Sequence, residues 1–78
     1  MKLLTLDDYE KAENFLKRAV ELMPEDPIVN DHYGDILWKL DRKIQARYFW
    51  KNVLNLKETE DEMKKIIKDK LIEGLINS

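Results

Sequence analysis

Ala12, Leu16, Ala19 and Leu22 recur as Ala46, Trp50, Val53 and Leu56, each pair 34 positions apart. An apolar stripe that returns at this period marks a helix–turn–helix unit, which buries its apolar face only by stacking on its neighbours. The chain is therefore read as a stack of helices. Its function is read as recognition by surfaces rather than as a chemistry.

Four helices follow from the spacing of apolar residues. Tyr9, Ala12, Leu16, Ala19, Val20 and Met23 keep i, i+3, i+4, i+7 order, which predicts a first helix over roughly 7–22. Asp7 and Asp8 at its start suit the helix dipole, and Pro24 closes it. Asp26 as N-cap with Pro27 behind it starts the second helix, whose stripe is Val29, Tyr33, Ile36, Leu37 and Leu40. Asp41-Arg42 is a joint short enough for an antiparallel hairpin. A third helix runs from about Lys43 to Leu56, with Ile44, Ala46, Phe49, Trp50, Val53 and Leu54 on its apolar side. Thr59 and Glu62 have the spacing of a capping box ahead of a fourth helix over about 60–76. That helix carries Met63, Ile66, Ile67, Leu71 and Leu75 on one face and Lys64, Lys65, Lys68 and Glu73 on the other. No segment alternates with the period of a strand.

These elements resemble tetratricopeptide repeats over nearly the whole chain. Asn30-x2-Tyr33-Gly34-x2-Leu37 stands where that family has Trp-x2-Leu-Gly-x2-Tyr, and Ala46-x3-Trp50 stands for Ala-x3-Phe. Gly34 and Ala46 are small enough to let two antiparallel helices cross closely. The resemblance implies an all-α, antiparallel helix–turn–helix array, a fragment of an α-solenoid, in one domain over 1–78. Within it, 7–24 is the second helix of a partial repeat, 27–59 one complete repeat and 60–76 a capping helix. Lys68 stands 34 residues after Gly34 and is too bulky for the same crossing, which is why the last helix reads as a cap. Pro27 to Trp38, Ala46 to Trp50 and the closing Lys70 to Leu75 look like the terminal repeats of bacterial members, which implies a bacterial source and the tail of a longer protein.

Composition removes several function classes. The chain has 44% apolar and 38% charged residues with two Gly and two Pro, a balance that suits a soluble helical protein rather than a disordered one. Its formal charge is −2. Residues 1–26 carry four basic and seven acidic groups, 27–56 five and three, 57–78 five and six. No segment has the basic footprint of a nucleic-acid binder. No apolar run reaches the length of a membrane span or of a signal peptide, and the expectation for the chain as a complete protein is a soluble, cytoplasmic one. Cysteine is absent, so thiol chemistry and Cys-based zinc sites are excluded.

Catalytic residues are not expected. Thr5, Thr59 and Ser78 are the hydroxyls besides the tyrosines, and none sits in a nucleophile motif. Two glycines cannot build a phosphate-cradling loop. His32 is the single histidine; without Cys or a second His it makes a poor metal site, and a helix points Asp31 and His32 about 100° apart. No cofactor is expected.

Two faces are candidates for partners. The resemblance implies that the second helix lines a concave, peptide-binding face with Ile28, Asp31, Asp35, Trp38 and Lys39. Asp31 and Asp35, one turn apart, would favour a basic peptide, unless Asp35 simply pairs with Lys39 at i, i+4. The family's carboxylate clamp uses Lys and Asn on this face, and the two Asp speak against it here. The other face belongs to the first helix, whose covering helix is absent from the sequence. Leu3, Leu6, Tyr9, Ala12, Leu16 and Ala19 form that flank, and self-association through it is expected, as a homodimer or larger homo-oligomer. The alternative is nucleic-acid binding through Arg42, Lys43, Arg47 and Lys51 with aromatic neighbours.

Overall fold

The computed structural model describes residues 4–75; Leu3 and the end of the chain after Leu75 lie outside them. Among the described residues the chain forms four helices and no strand: α1 (Leu6–Leu22), α2 (Pro27–Lys39), α3 (Lys43–Asn55) and α4 (Asp61–Glu73). α4 follows α2 at an offset of 34 residues at both ends. The 34-residue period thus holds in the backbone of α2 and α4, whereas α1 and α3, which carry it in side chains, are offset by 37 residues at their starts and 33 at their ends.

Local chemistry explains most boundaries. The Asp26 carboxylate accepts from the backbone N–H groups of Ile28 (2.9 Å) and Val29 (3.1 Å), with Pro27 in the first turn. α1 starts on a capping box not anticipated above. Thr5 Oγ1 accepts from the Asp8 N–H at 3.2 Å, and Asp8 Oδ2 accepts from the Thr5 N–H at 2.9 Å, an arrangement that satisfies two orphan donors at once. Asp41 takes φ 63° between α2 and α3, a left-handed conformation that Asp tolerates better than most residues. The Arg42 N–H then returns to the Leu37 carbonyl at 2.8 Å.

α4 departs from expectation at both ends. Its N-cap is Glu60, without a side-chain bond. Thr59 is not the cap; it is buried, and its hydroxyl donates to the Val53 carbonyl at 2.6 Å. That bond adds a second donor to a carbonyl that already accepts from the Leu56 N–H at 3.2 Å, and it ties the joint to the core. Thr59→Val keeps the shape and removes the donor, so it is expected to cost about 1–2 kcal/mol, measured by urea unfolding. At the other end α4 stops at Glu73, because Gly74 takes φ 70°. A Cβ there would also stand 2.2 Å from the Trp38 ring, so the chain needs glycine both for its backbone and for the approach of that ring.

The core sits between α2 and α3. Tyr33, Leu37, Ala46, Trp50, Val53 and Ile67 are buried, and Leu16, Val20, Met63, Leu71 and Leu75 pack against them. Gly34 lies on Trp50: a Cβ at that position would be 2.5 Å from the indole nitrogen and 3.2 Å from the Ala46 carbonyl oxygen. Ile44, assigned above to the apolar side of α3, is instead 87% exposed. Asn30 is buried and behaves as a core polar residue. Its amide donates to the carbonyls of Pro24 (3.1 Å) and Asp26 (2.8 Å), and its oxygen accepts from Asn52. An amide in that position fastens the α1–α2 joint where an aromatic residue could only fill space.

Candidate interaction faces

The acidic face of α2 is occupied from within the chain. Lys70 of α4 reaches across to donate to Asp31 Oδ1 at 2.7 Å and to Asp35 Oδ1 at 2.9 Å. Asp35 Oδ1 also accepts from the Trp50 indole N–H at 3.1 Å. The i, i+4 pairing of Asp35 with Lys39 expected above is not formed; the ammonium of Lys39 lies 5.7 Å over the Tyr9 ring instead. α2, α3 and α4 therefore share one polar knot beside the core.

The electrostatics of this knot are uneven. Burial pushes the Asp31 carboxyl above its ordinary range, the bond from Lys70 pulls it back only in part, and the Asp35 charge pushes it up again. For Lys70, burial works against the ammonium, but the bonds it donates to two carboxylates outweigh it and hold its pKa above the ordinary lysine value. Lys70 gains more from its two carboxylates than burial takes away, whereas for Asp31 burial and the Asp35 charge outweigh what Lys70 and His32 give.

A raised folded-state pKa means stability that is present at low pH and lost as pH rises through that pKa. For Lys70 the loss lies above the ordinary lysine range. For Asp31 it lies above the ordinary carboxylate range. Lys70→Met leaves two carboxylates without their cation, and is expected to destabilise the chain by about 1–3 kcal/mol at neutral pH. Acidification protonates Asp31 and should shrink that difference. Urea titrations of both proteins at pH 7 and near pH 4 check the sign.

The remaining residues of this face are split. Ile28 is 59% exposed, away from the knot. Trp38 stacks on Trp50 with ring centroids 5.4 Å apart and carries Lys43 (4.9 Å) and Arg47 (5.7 Å) over its ring. Ile28, Asp31, Asp35, Trp38 and Lys39 thus do not form a single open patch. The basic residues at the start and along α3 are split as well. Arg42, just before α3, pairs with Glu13 of α1 at 2.7 Å, Arg47 also donates to the Leu71 carbonyl, and Lys51 is exposed.

The flank of α1 divides into two strips. Tyr9, Ala12 and Leu16 are half-buried and line a groove with Leu4, His32, Asp35, Ile36 and Lys39, so much of their surface faces α2. Ala19 is also half-buried, and Leu6 is 66% exposed. The most open apolar side chains of α1 are Phe15 at 73%, not named above, and Leu22 at 68%, named above in the 34-residue echo but not in the flank. No residue of α1 is fully buried.

The internal echo says what those two side chains lack. Phe15 stands 34 residues before Phe49, which packs edge-on against Tyr33 of α2 at 4.6 Å. Leu22 stands 34 before Leu56, which is half-buried. On α3 this strip meets α2 at Phe49 and is half-buried; on α1 it is exposed. Extending the sequence echo by one position, to Phe15 and Phe49, would have found it.

His32 is exposed, and among the described residues no group of three His, Cys, Asp or Glu is placed to hold a metal ion. None of the described helices is long and apolar enough to cross a membrane. No family model, curated protein or solved structure matches the chain.

Proposed function

We propose that the chain is a non-catalytic protein–protein interaction module of tetratricopeptide-like architecture that docks a helix on the open strip of α1. One observation carries this reading: Phe15 and Leu22 are largely exposed, while their counterparts on α3, Phe49 and Leu56, are half-buried. Leaving two such side chains wet forgoes roughly 3–6 kcal/mol of burial at about 1.5–3 kcal/mol each, a large share of what a domain this small can muster. The concave face contributes less, because Lys70 already neutralises Asp31 and Asp35.

The test is a photo-crosslinking amino acid placed at position 15 and, as a control, at position 72, in the cells that make the protein. Ile72 is 78% exposed on α4 and matches it in accessibility. A discrete protein adduct from position 15 alone supports the reading. No adduct there, or equal adducts from both positions, removes it.

A further inference from the structure

Resting on that reading, we infer that the occupant of the α1 strip is a second copy of α1, running antiparallel across a two-fold axis at Phe15. Ala12, Phe15, Ala19 and Leu22 share one side of the helix at 3.6-residue spacing. About a centre at residue 15, an antiparallel copy brings Leu22 opposite Asp8, Ala19 opposite Lys11 and Ala12 opposite Arg18. The aromatic ring of each chain then meets the other between Ala12 and Ala19, whose small side chains leave room for it. The α2–α3 pair sets the precedent within this fold, being antiparallel with Tyr33 level with Phe49 at 4.6 Å.

Charge selects this orientation. On the strip side of α1, Asp8 lies in the first half and Arg18 in the second, whereas Glu10, Glu13 and Lys17 lie on the far side of the helix, Glu13 pairs with Arg42 and Asp7 with Lys11. Antiparallel pairing sets Asp8 toward Arg18, twice by symmetry, whereas a parallel pair sets each beside its own like. Arg18 of each copy comes within reach of Asp8 on the other. The capping bonds of Asp8 both fall on Oδ2, leaving Oδ1 to accept.

Two helices of this length meeting along one strip bury less than the roughly 1,200 Å² of a standard interface, so the dimer belongs to the weak, reversible class.

The experiment uses the full chain. Sedimentation equilibrium from micromolar to millimolar concentration should show a monomer–dimer equilibrium, and Phe15→Glu should raise its dissociation constant about tenfold or more, with an unchanged far-UV circular dichroism spectrum. Orientation is read by disulfide trapping, which the cysteine-free chain permits. A mixture of Lys11→Cys and Ala19→Cys chains should form the mixed disulfide faster than either forms its own. A monomer at every concentration overturns the inference, as does a dimer indifferent to Phe15→Glu or a preference for like-with-like disulfides. Should the crosslinker at position 15 capture a different protein while the chain sediments as a monomer, the interaction reading stands and the second copy is excluded. With no adduct and no dimer, both fall.

Discussion

Trp50→Ala is expected to lower stability by about 3–5 kcal/mol, the range for emptying a buried aromatic site, and so to leave little cooperative unfolding in a domain of this size. Trp50 is 0% exposed and the largest of the fully buried side chains. Its removal acts on three helices at once. The cavity opens between α2 and α3, Trp38 loses the ring it stacks on, and Asp35 loses the indole donor that orients it toward Lys70. Trp38 is only half-buried, so Trp38→Ala should cost less. Urea titration followed by circular dichroism at 222 nm ranks the two, and a Trp50→Ala loss below about 1 kcal/mol would mean that the core is not centred on this ring.

The second large effect is one whose sign is not obvious. Replacing glycine by alanine inside a helix ordinarily gains up to about 1 kcal/mol. At Gly34 the new methyl group would stand 2.5 Å from Trp50 Nε1 and 2.6 Å from its Cδ1. That ring cannot swing aside, since it is buried, stacked on Trp38 and bonded to Asp35. Overpacking of this kind costs about 1–3 kcal/mol and outweighs the propensity gain, so Gly34→Ala is expected to destabilise. In a Trp50→Leu background the clash with the indole is gone and the 3.2 Å approach to the Ala46 carbonyl oxygen remains, so the same substitution should cost markedly less. Position 16, the 34-residue counterpart of Trp50, already carries leucine. Additive effects in the double-mutant cycle would contradict the close crossing of α2 and α3.

How much of this was legible in the sequence depends on the range of the interaction. The four helices, the Asp26 cap and the small residues at Gly34 and Ala46 are local or periodic, and the sequence pattern carries them directly. Thr59 misled because its spacing to Glu62 imitates a capping box; the structure uses its hydroxyl six residues back, on Val53. Gly74 was a stop signal hidden behind the apolar period that continues to Leu75. The polar knot was not legible at all. Lys70 lies 39 and 35 residues from its partners, and nothing short of the docking of α4 reveals which of the lysines on that helix points inward. The exposed strip of α1 lay between these extremes. The echo predicted an uncovered face, but the helical wheel alone assigned it to Tyr9, Ala12 and Leu16, residues that the groove with α2 partly occupies.

If α1 is the open side of the stack, amide hydrogen exchange on the full chain registers it. Exchange reports local opening, and segments with few buried apolar contacts open at the lowest free energy. In dilute solution α1 amides are expected to exchange much faster than those of α2 and α3, and their protection to rise when the strip around Phe15 is covered, by concentration or by a crosslinked partner. Protection of α1 equal to that of α2 and α3 at every concentration would contradict it.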